Sequence, residues 1–142
     1  MRKIYIKSLK KSPKIKKRGL KGLALKVLEL ENAPRTLEIG IIIVDNSYIQ
    51  KLNQKYRKID SPTNVLAFQL EVPGKGFWGD VYISLDMAIL QTPENESLEF
   101  TLSRYLIHGI LHLLGYKHGK QMSTREEHYL KEISNIKNQI SK

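Results

Sequence analysis

The sequence predicts an α+β fold: a mixed sheet of about four strands covered by helices. Two observations support this prediction. Apolar residues alternate, or form short β-branched runs, along four segments bounded by turn residues, and they recur every three or four residues along the segments between them. The 142 residues suffice for one hydrophobic core, so we expect residues 1–142 to form a single domain.

The first strand and the first helix are predicted near the N-terminus. Residues 2–7 alternate as a strand does, and a basic turn around Pro13 follows. Apolar residues then recur at helical spacing over 20–30, and Asn32-Ala33-Pro34 ends this amphipathic helix.

A second strand and helix follow. Residues 37–44 are β-branched and mostly apolar, which is typical of a strand buried on both faces. Asp45, Asn46 and Ser47 are candidate N-caps of a helix that reaches about Tyr56. The polar residues 57–64 are predicted to form an exposed loop.

The next segment is predicted to be a hairpin and a short helix. Residues 65–71 and 77–84 have strand patterns, and Pro73–Gly76 between them has turn composition. Residues 85–91 are expected to form a short helix before Thr92-Pro93.

Two longer helices complete the prediction. Asn95 or Ser97 is expected to cap a helix that runs to Leu114. Residues 123–126, Ser-Thr-Arg-Glu, have the form of a capping box and predict the start of a last helix toward Ile140.

The charge of the chain is strongly positive and unevenly distributed. The net charge is +10, and eleven lysines and arginines precede the first acidic residue, Glu29. Such a block suits a solvated surface or an anionic polymer, and we favour nucleic acid or a ribosomal surface. With no apolar run long enough for a membrane, no signal peptide pattern and no cysteine, we expect a cytoplasmic protein.

Three of the four histidines lie in the segment 108–118, His-Gly-Ile-Leu-His-Leu-Leu-Gly-Tyr-Lys-His. Residues four apart lie on one face of a helix, so His108 and His112 can reach one ion. Gly115 suits a helix C-terminus, after which the chain can return His118 as a third ligand. Three imidazoles leave a fourth position for water, as in catalytic zinc sites. The segment therefore predicts an open metal site for one Zn²⁺, although Ni²⁺ or Co²⁺ also accepts three histidines.

Metzincin proteases share this spacing but differ at one position. They carry a glutamate after the first histidine as the general base, where this chain has Gly109. A peptidase without that base would be severely impaired, so a metallopeptidase-like hydrolase is a minor alternative. A ribosome assembly factor with a structural metal is the other alternative.

A resemblance to a known family extends beyond the histidines. Residues 52–68 contain Leu-Asn-x-x-Tyr-Arg-x-x-Asp-x-Pro-Thr-Asn-Val-Leu-Ala-Phe, residues 79–84 read Gly-Asp-Val-x-Ile-Ser, and the histidine segment follows. In this order they resemble the YbeY family of bacterial rRNA maturation endoribonucleases. The resemblance implies a zinc-dependent, single-strand-specific endoribonuclease of 16S rRNA 3′-end maturation and 30S/70S ribosome quality control. Its implied partners are rRNA and the small ribosomal subunit, without a small-molecule cofactor.

The resemblance also assigns roles to residues. The family's metal ligands and its functionally important arginine correspond to His108, His112, His118 and Arg57. Lys117 and Asn64 stand where the family usually has aspartates, and His128 stands where it often has methionine. With two acids lost near the site, the proton acceptor stays open.

Other residues are secondary candidates. Asp80 could orient a ligand imidazole or equally serve a turn or strand edge. Tyr116 could stack on single-stranded bases, as could Trp78, for which ordinary packing is favoured. Lys117 faces either solvent or a substrate phosphate. The polar residues expected to shape the walls of the cleft are Asn53, Tyr56, Thr63 and Ser84.

Overall fold

Four strands and five helices make up the part of the chain that the computed structural model describes, residues 2–11, 15–73 and 76–140. The strands are β1 (Lys3–Ser8), β2 (Glu38–Val44), β3 (Val65–Val72) and β4 (Gly76–Ser84). The helices are α1 (Lys17–Leu30), α2 (Asn46–Arg57), α3 (Leu85–Gln91), α4 (Leu98–Leu113) and α5 (Lys120–Ile140). The turn predicted around Pro13 and the centre of the predicted loop 73–76 lie outside the described residues.

The strands form one mixed sheet in the order β1-β2-β4-β3. β1 pairs with β2 and β2 with β4 in parallel, whereas β3 and β4 form an antiparallel hairpin that pairs Val65 with Ile83. Each parallel step needs a crossover, which α1 provides between β1 and β2. The predicted α+β fold with a four-stranded mixed sheet is therefore confirmed.

The two faces of the sheet are covered by different helices. On the first face, α1 and α4 bury the main core, which includes Leu28, Ile41 and Leu106 with no exposed surface. On the second face, Ile49 of α2 belongs to a smaller cluster with Val44 and Leu66. Because α4 lies against β3 and β4, its histidines reach the rim of the sheet beside β3.

Helix caps explain most of the observed boundaries. The Asp45 side chain caps α2 by accepting the N–H of Tyr48 at 2.8 Å, and Ser97 caps α4 by accepting the N–H of Phe100 at 3.1 Å. Arg57 is the last residue of α2, whereas the sequence placed it in the following loop.

The predicted start of the last helix is wrong. α5 begins at Lys120, and the Ser123 N–H already donates to the Gly119 carbonyl oxygen at 3.1 Å. The Ser-Thr-Arg-Glu pattern thus lies inside the helix, so Ser123 is not its N-cap. The Glu126 side chain is not part of a capping box and contacts another element.

Candidate metal centre

Helix α4 presents two of the predicted ligands at the rim of the sheet. His108 and His112 lie one turn apart, both half-buried, with their Nε2 atoms 3.1 Å apart and their ring centroids 4.6 Å apart. Two nitrogen lone pairs at this distance repel each other unless a proton or a cation lies between them. The pair is therefore arranged as ligands of a cation are.

A glycine turn delivers the third histidine. Gly115 has a φ of 98°, and its N–H and that of Tyr116 donate to the carbonyls of His112 and Leu111, each at 3.0 Å. The chain reverses here, so the His118 ring lies with its centroid 4.6 Å from that of His112. The geometry predicted from Gly115 is observed.

The three imidazoles could hold a metal ion. One nitrogen from each of His108, His112 and His118 lies within 4.8 Å of the other two. Zinc–nitrogen bonds of about 2.0–2.1 Å in a tetrahedron place neighbouring nitrogens about 3.3–3.4 Å apart. The separation of 3.1 Å between the two α4 nitrogens is close to that value, so this pair fits such an ion.

The other nitrogen of each α4 histidine is engaged by a partner. The Nδ1–H of His112 donates to the Tyr116 carbonyl oxygen at 3.1 Å, and the Nδ1 of His108 contacts the Glu126 carboxylate. These contacts direct both Nε2 lone pairs toward His118. Burial, followed by the charges of His108 and His118, lowers the pKa of His112, which favours the neutral ligand form.

A buried carboxylate holds the glycine turn in place. Glu31, whose side chain is 5% exposed, accepts the Tyr116 hydroxyl at 2.7 Å and the Tyr129 hydroxyl. Arg125 lies 3.7 Å from the same carboxylate. The hydrogen bond to Glu31 and burial raise the pKa of Tyr116, which stays a neutral donor. The end of α1 and helix α5 thus position the backbone that orients His112.

The histidines open into a cleft of about 190 Å³, shared with Arg57. Arg57 ends α2 and is exposed, and Lys58 continues the chain in the left-handed conformation with a φ of 62°. The Asn53 amide donates to the Ser61 carbonyl oxygen at 3.0 Å, which ties the following loop back to α2. The arginine indicated by the resemblance therefore lies beside the histidines.

The remaining candidates divide between the cleft and other surfaces. Asn53 and Thr63 line the cleft as expected, and Asn64 lines it as well. The other four named for the site or its walls, Tyr56, Asp80, Ser84 and Trp78, do not line it. Of the two roles considered for Asp80, orienting a ligand imidazole is not observed: its carboxylate accepts the indole N–H of Trp78 at 2.8 Å within β4.

Lys117 and His128 lie on the surface of the protein. Lys117 is exposed and lies beside His118 along a larger groove of about 790 Å³ that also contains Tyr116. His128 is exposed and lies 3.5 Å from Glu132 on α5, outside the histidine group.

No described helix has the length and apolar character needed to cross a membrane.

Sequence patterns alone missed Glu126. Its place in a Ser-x-x-Glu motif suggested a cap, and its contact with His108 depends on how α5 packs against α4. The available signal was its position eight residues after His118, on a helix that returns past the metal ligands.

The chain was compared with known proteins. The sequence profile of the family described as Endoribonuclease YbeY matches residues 5–138. A protein named Endoribonuclease YbeY from Neorickettsia sennetsu is 36% identical over 84% of this chain and 89% of its own. One of the same name from Aquifex aeolicus is 43% identical over 80% of this chain and 73% of its own.

A solved structure agrees with these matches. The solution structure of a protein from Thermotoga maritima superposes with a TM-score of 0.65 at 27% identity, covering 96% of this chain and 92% of the other. The profile match spans the sheet, the cleft and all three histidines. The chain therefore belongs to the YbeY family.

Proposed function

We propose that this protein is a zinc-dependent, single-strand-specific endoribonuclease of the cytoplasm. In this proposal it acts in 16S rRNA 3′-end maturation and in 30S/70S ribosome quality control. The observation that carries the proposal is the meeting of three histidine nitrogens and one arginine in a single cleft. The relatives named endoribonuclease support RNA as the substrate.

The side chains of the cleft would have different roles in phosphodiester cleavage. His108, His112 and His118 would hold the ion, which when bound supplies Lewis acidity that lowers the pKa of water and polarises a phosphoryl oxygen. Arg57 provides a planar guanidinium that can donate two hydrogen bonds to the phosphate as negative charge develops there. Glu126 keeps the imidazole of His108 oriented.

The cleft contains cationic and neutral groups and lacks acids among its described lining residues. Asn64, where the family usually has an aspartate, lines it as a neutral amide. An acid-free cleft beside Arg57 suits an anionic phosphodiester better than it suits the glutamate-assisted attack of a metzincin peptidase.

Position 109 gives a further argument against the peptidase. A Cβ atom on Gly109 would lie 2.5 Å from Cγ1 of Val81 and 3.2 Å from Cγ2 of Val65. A glutamate side chain at this position would start inside the packing between α4 and the sheet. The fold therefore has no room for the metzincin base there.

The function is tested with purified protein and labelled single-stranded and double-stranded RNA, with and without a chelator and with single metals added back. We expect cleavage of single-stranded RNA, its loss with chelator and its best recovery with Zn²⁺. His112→Ala and Arg57→Lys should each lower cleavage at least tenfold, because the first removes a ligand and the second the forked donor. His128→Ala is the matched control, since this histidine lies outside the group.

Two results would redirect the proposal. Cleavage by His112→Ala at the parent rate would exclude a catalytic metal at this site. Association with the 30S subunit without cleavage in any metal would favour the assembly factor with a structural metal. Analysis of the RNA ends would show whether water or the 2′-hydroxyl attacks phosphorus.

A further inference from the structure

Four aromatic rings form a continuous row beside α2 on the second face of the sheet. Tyr48 stacks on Tyr82 at 6.2 Å between centroids, Tyr82 lies 6.0 Å from Phe68, and Phe68 lies 5.1 Å from Tyr56. We call these four residues the aromatic row. Its two ends belong to α2, and Tyr48 and Tyr56 keep 41% and 56% of their surface exposed. Solvent therefore reaches a flat aromatic surface at each end.

The exposed charges of α2 are all positive. The helix contains no aspartate or glutamate, and its lysines Lys51 and Lys55 are exposed, as is Lys58 just after it. The Nζ of Lys55 lies 5.2 Å from the centre of the Tyr56 ring. A base stacked on Tyr56 would take the place of this lysine, whose ammonium could then reach the phosphate of the same nucleotide.

Acids near the aromatic row are engaged by other groups. Asp60 accepts a hydrogen bond from Gln50 at 3.0 Å. Asp80 accepts a hydrogen bond from the indole N–H of Trp78. Burial raises the pKa of Tyr82, and the nearby charge of Asp80 raises it further. The solvent-facing side of α2 thus combines rings with lysines, the combination that binds single-stranded nucleic acid without sequence preference. Lysine is depleted in protein–protein interfaces, so a protein partner fits this surface less well.

The aromatic row lies next to the cleft. Leu66 lines the cleft and belongs to the second-face cluster against which Phe68 and Tyr82 pack. Tyr56 directly precedes Arg57, which also lines the cleft. The helical rise of 1.5 Å per residue separates Tyr48 from Tyr56 by about 12 Å along α2. A few consecutive nucleotides, at about 3.4 Å each when stacked, cover that distance.

We propose that the aromatic row and the lysines of α2 form an extended binding surface for single-stranded RNA that leaves the cleft at Arg57. Bases stack first on Tyr56 and then on Tyr48, while Lys55 and Lys51 contact the phosphates between them. The proposal rests on the proposed function, since it extends the RNA path of the same cleft.

The test measures binding of a labelled single-stranded RNA of about 12 nucleotides by fluorescence anisotropy. Tyr56→Leu and Tyr48→Leu should each weaken binding about tenfold, because each removes a stacking ring. Tyr56→Phe keeps the ring and should bind as the parent does. Tyr5→Leu is the matched control, because Tyr5 is 48% exposed and stacked on Trp78 but belongs to β1. Circular dichroism checks that each variant folds.

Salt dependence tests the lysines separately. The variant with both Lys51→Gln and Lys55→Gln should lower the slope of log affinity against log salt by about 0.7 per lysine. Lys131→Gln, an exposed lysine of α5, should leave the slope unchanged.

The outcomes separate this surface from the catalytic proposal. Parent-like RNA affinity in both Tyr56→Leu and Tyr48→Leu overturns the surface, as does an equal loss in Tyr5→Leu. Loss of binding to a ribosomal protein, with RNA binding intact, overturns it in favour of a protein partner. If the parent cleaves no RNA but Tyr56→Leu still weakens RNA binding, the surface stands and the hydrolase fails. If cleavage depends on metal but RNA affinity is unchanged in both leucine variants, the hydrolase stands and the surface fails.

Discussion

The carboxylate of Glu126 and the carbonyl of Tyr116 have the same effect on two different histidines. Each occupies the Nδ1 side of an imidazole, so Nε2 carries the lone pair that faces the ion site. A carboxylate also strengthens the imidazole as a ligand. His108 should therefore depend on Glu126 for both its orientation and its donor strength.

Removing the carboxylate should weaken metal binding. We expect Glu126→Ala to lower the affinity for Zn²⁺ about 10–100-fold, with Glu126→Gln intermediate, because the amide oxygen still accepts a hydrogen bond without the charge. The measurement is a competition titration against a chromophoric chelator. Glu127→Gln, the exposed neighbour, is the control. Equal affinity in Glu126→Ala and the parent would mean that the contact does not support the site.

Residues of the site that lie close together in the sequence were predictable, and residues that come from distant elements were not. The meeting of the three histidines was predictable because a helix turn and a glycine bring residues 108–118 together locally. Arg57 was identified only through the family resemblance, since an arginine at a helix end has no distinguishing local pattern. Glu126 and the aromatic row required tertiary contacts between elements, which one sequence without an alignment does not reveal.

Helix α4 packs closely against the sheet at the position of a glycine. Gly109 lets the helix lie on β3 and β4 between the first two ligands, where a Cβ would come within 2.5 Å of Val81. Gly22, in α1, has no atom within 4 Å of such a Cβ. Gly109 and Gly22 thus have opposite structural needs.

Alanine should therefore act in opposite directions at these glycines. Gly109→Ala should lower the free energy of unfolding by about 1–3 kcal/mol, because overpacking outweighs the gain in helix propensity. Gly22→Ala should raise the free energy of unfolding by about 0.5–1 kcal/mol, because an alanine loses less backbone entropy on folding than a glycine does. Urea denaturation of both variants and the parent measures the difference. A stabilised Gly109→Ala would show that α4 can shift away from the sheet.

A second link between elements is electrostatic. Asp86 of α3 contacts Lys10 after β1 and accepts the N–H of Asn46, at the start of α2, at 2.9 Å. The side-chain hydrogen bond from Lys10, then that from the Asn46 backbone, lowers the pKa of Asp86 below its ordinary value of 3.8. Two separate segments thus stabilise its ionised form.

The sign of the pH dependence follows from this lowered pKa. The contribution of Asp86 to stability is present above the unfolded pKa and is lost as pH falls through the lower folded value. Asp86→Asn should be less stable than the parent at pH 7, and the difference should shrink below pH 3.8. Urea midpoints of both proteins across this range are the measurement. A constant difference down to pH 2 would assign the effect to packing instead of charge.

Most elements were predictable from local patterns, and the exception is informative. Alternation, one β-branched apolar run and helical spacing located all the described strands and helices, because each element buries apolar side chains in a regular pattern. The start of α5 was misplaced because the Ser123–Glu126 pattern is compatible with both a cap and a helix interior. The hydrogen bond from Ser123 to Gly119 decides between them, and it is visible only in the structure.

For the whole molecule, the basic N-terminal region is partly neutralised by acids from distant positions. Lys3 lies 4.0 Å from Glu38, and Lys16 lies 3.6 Å from Glu99. These partners could not be assigned from the sequence, where the basic block contains no acid. Exposed pairs of this kind contribute little stability and leave the net charge of +10 unchanged. A role of the N-terminal block in RNA binding stays a prediction.

Metal binding should stabilise the whole molecule. With Zn²⁺ at about 100 times its Kd, binding to the folded state alone adds about 2.7 kcal/mol, so chelator should lower Tm reversibly. His112→Ala should lose this metal-dependent shift, whereas His128→Ala should keep it. Differential scanning calorimetry with and without Zn²⁺ measures both. A shift of parent size in His112→Ala would place the stabilising ion elsewhere.

The glycine turn after α4 also affects the order of folding. Because residues 108–118 hold all three histidines, closing the loop between them costs little entropy. Arg57 and Glu126 come from elements that meet only after the sheet and α5 have docked. If the proposed ion binds, the histidines that would hold it can therefore come together before the cleft beside Arg57 is complete.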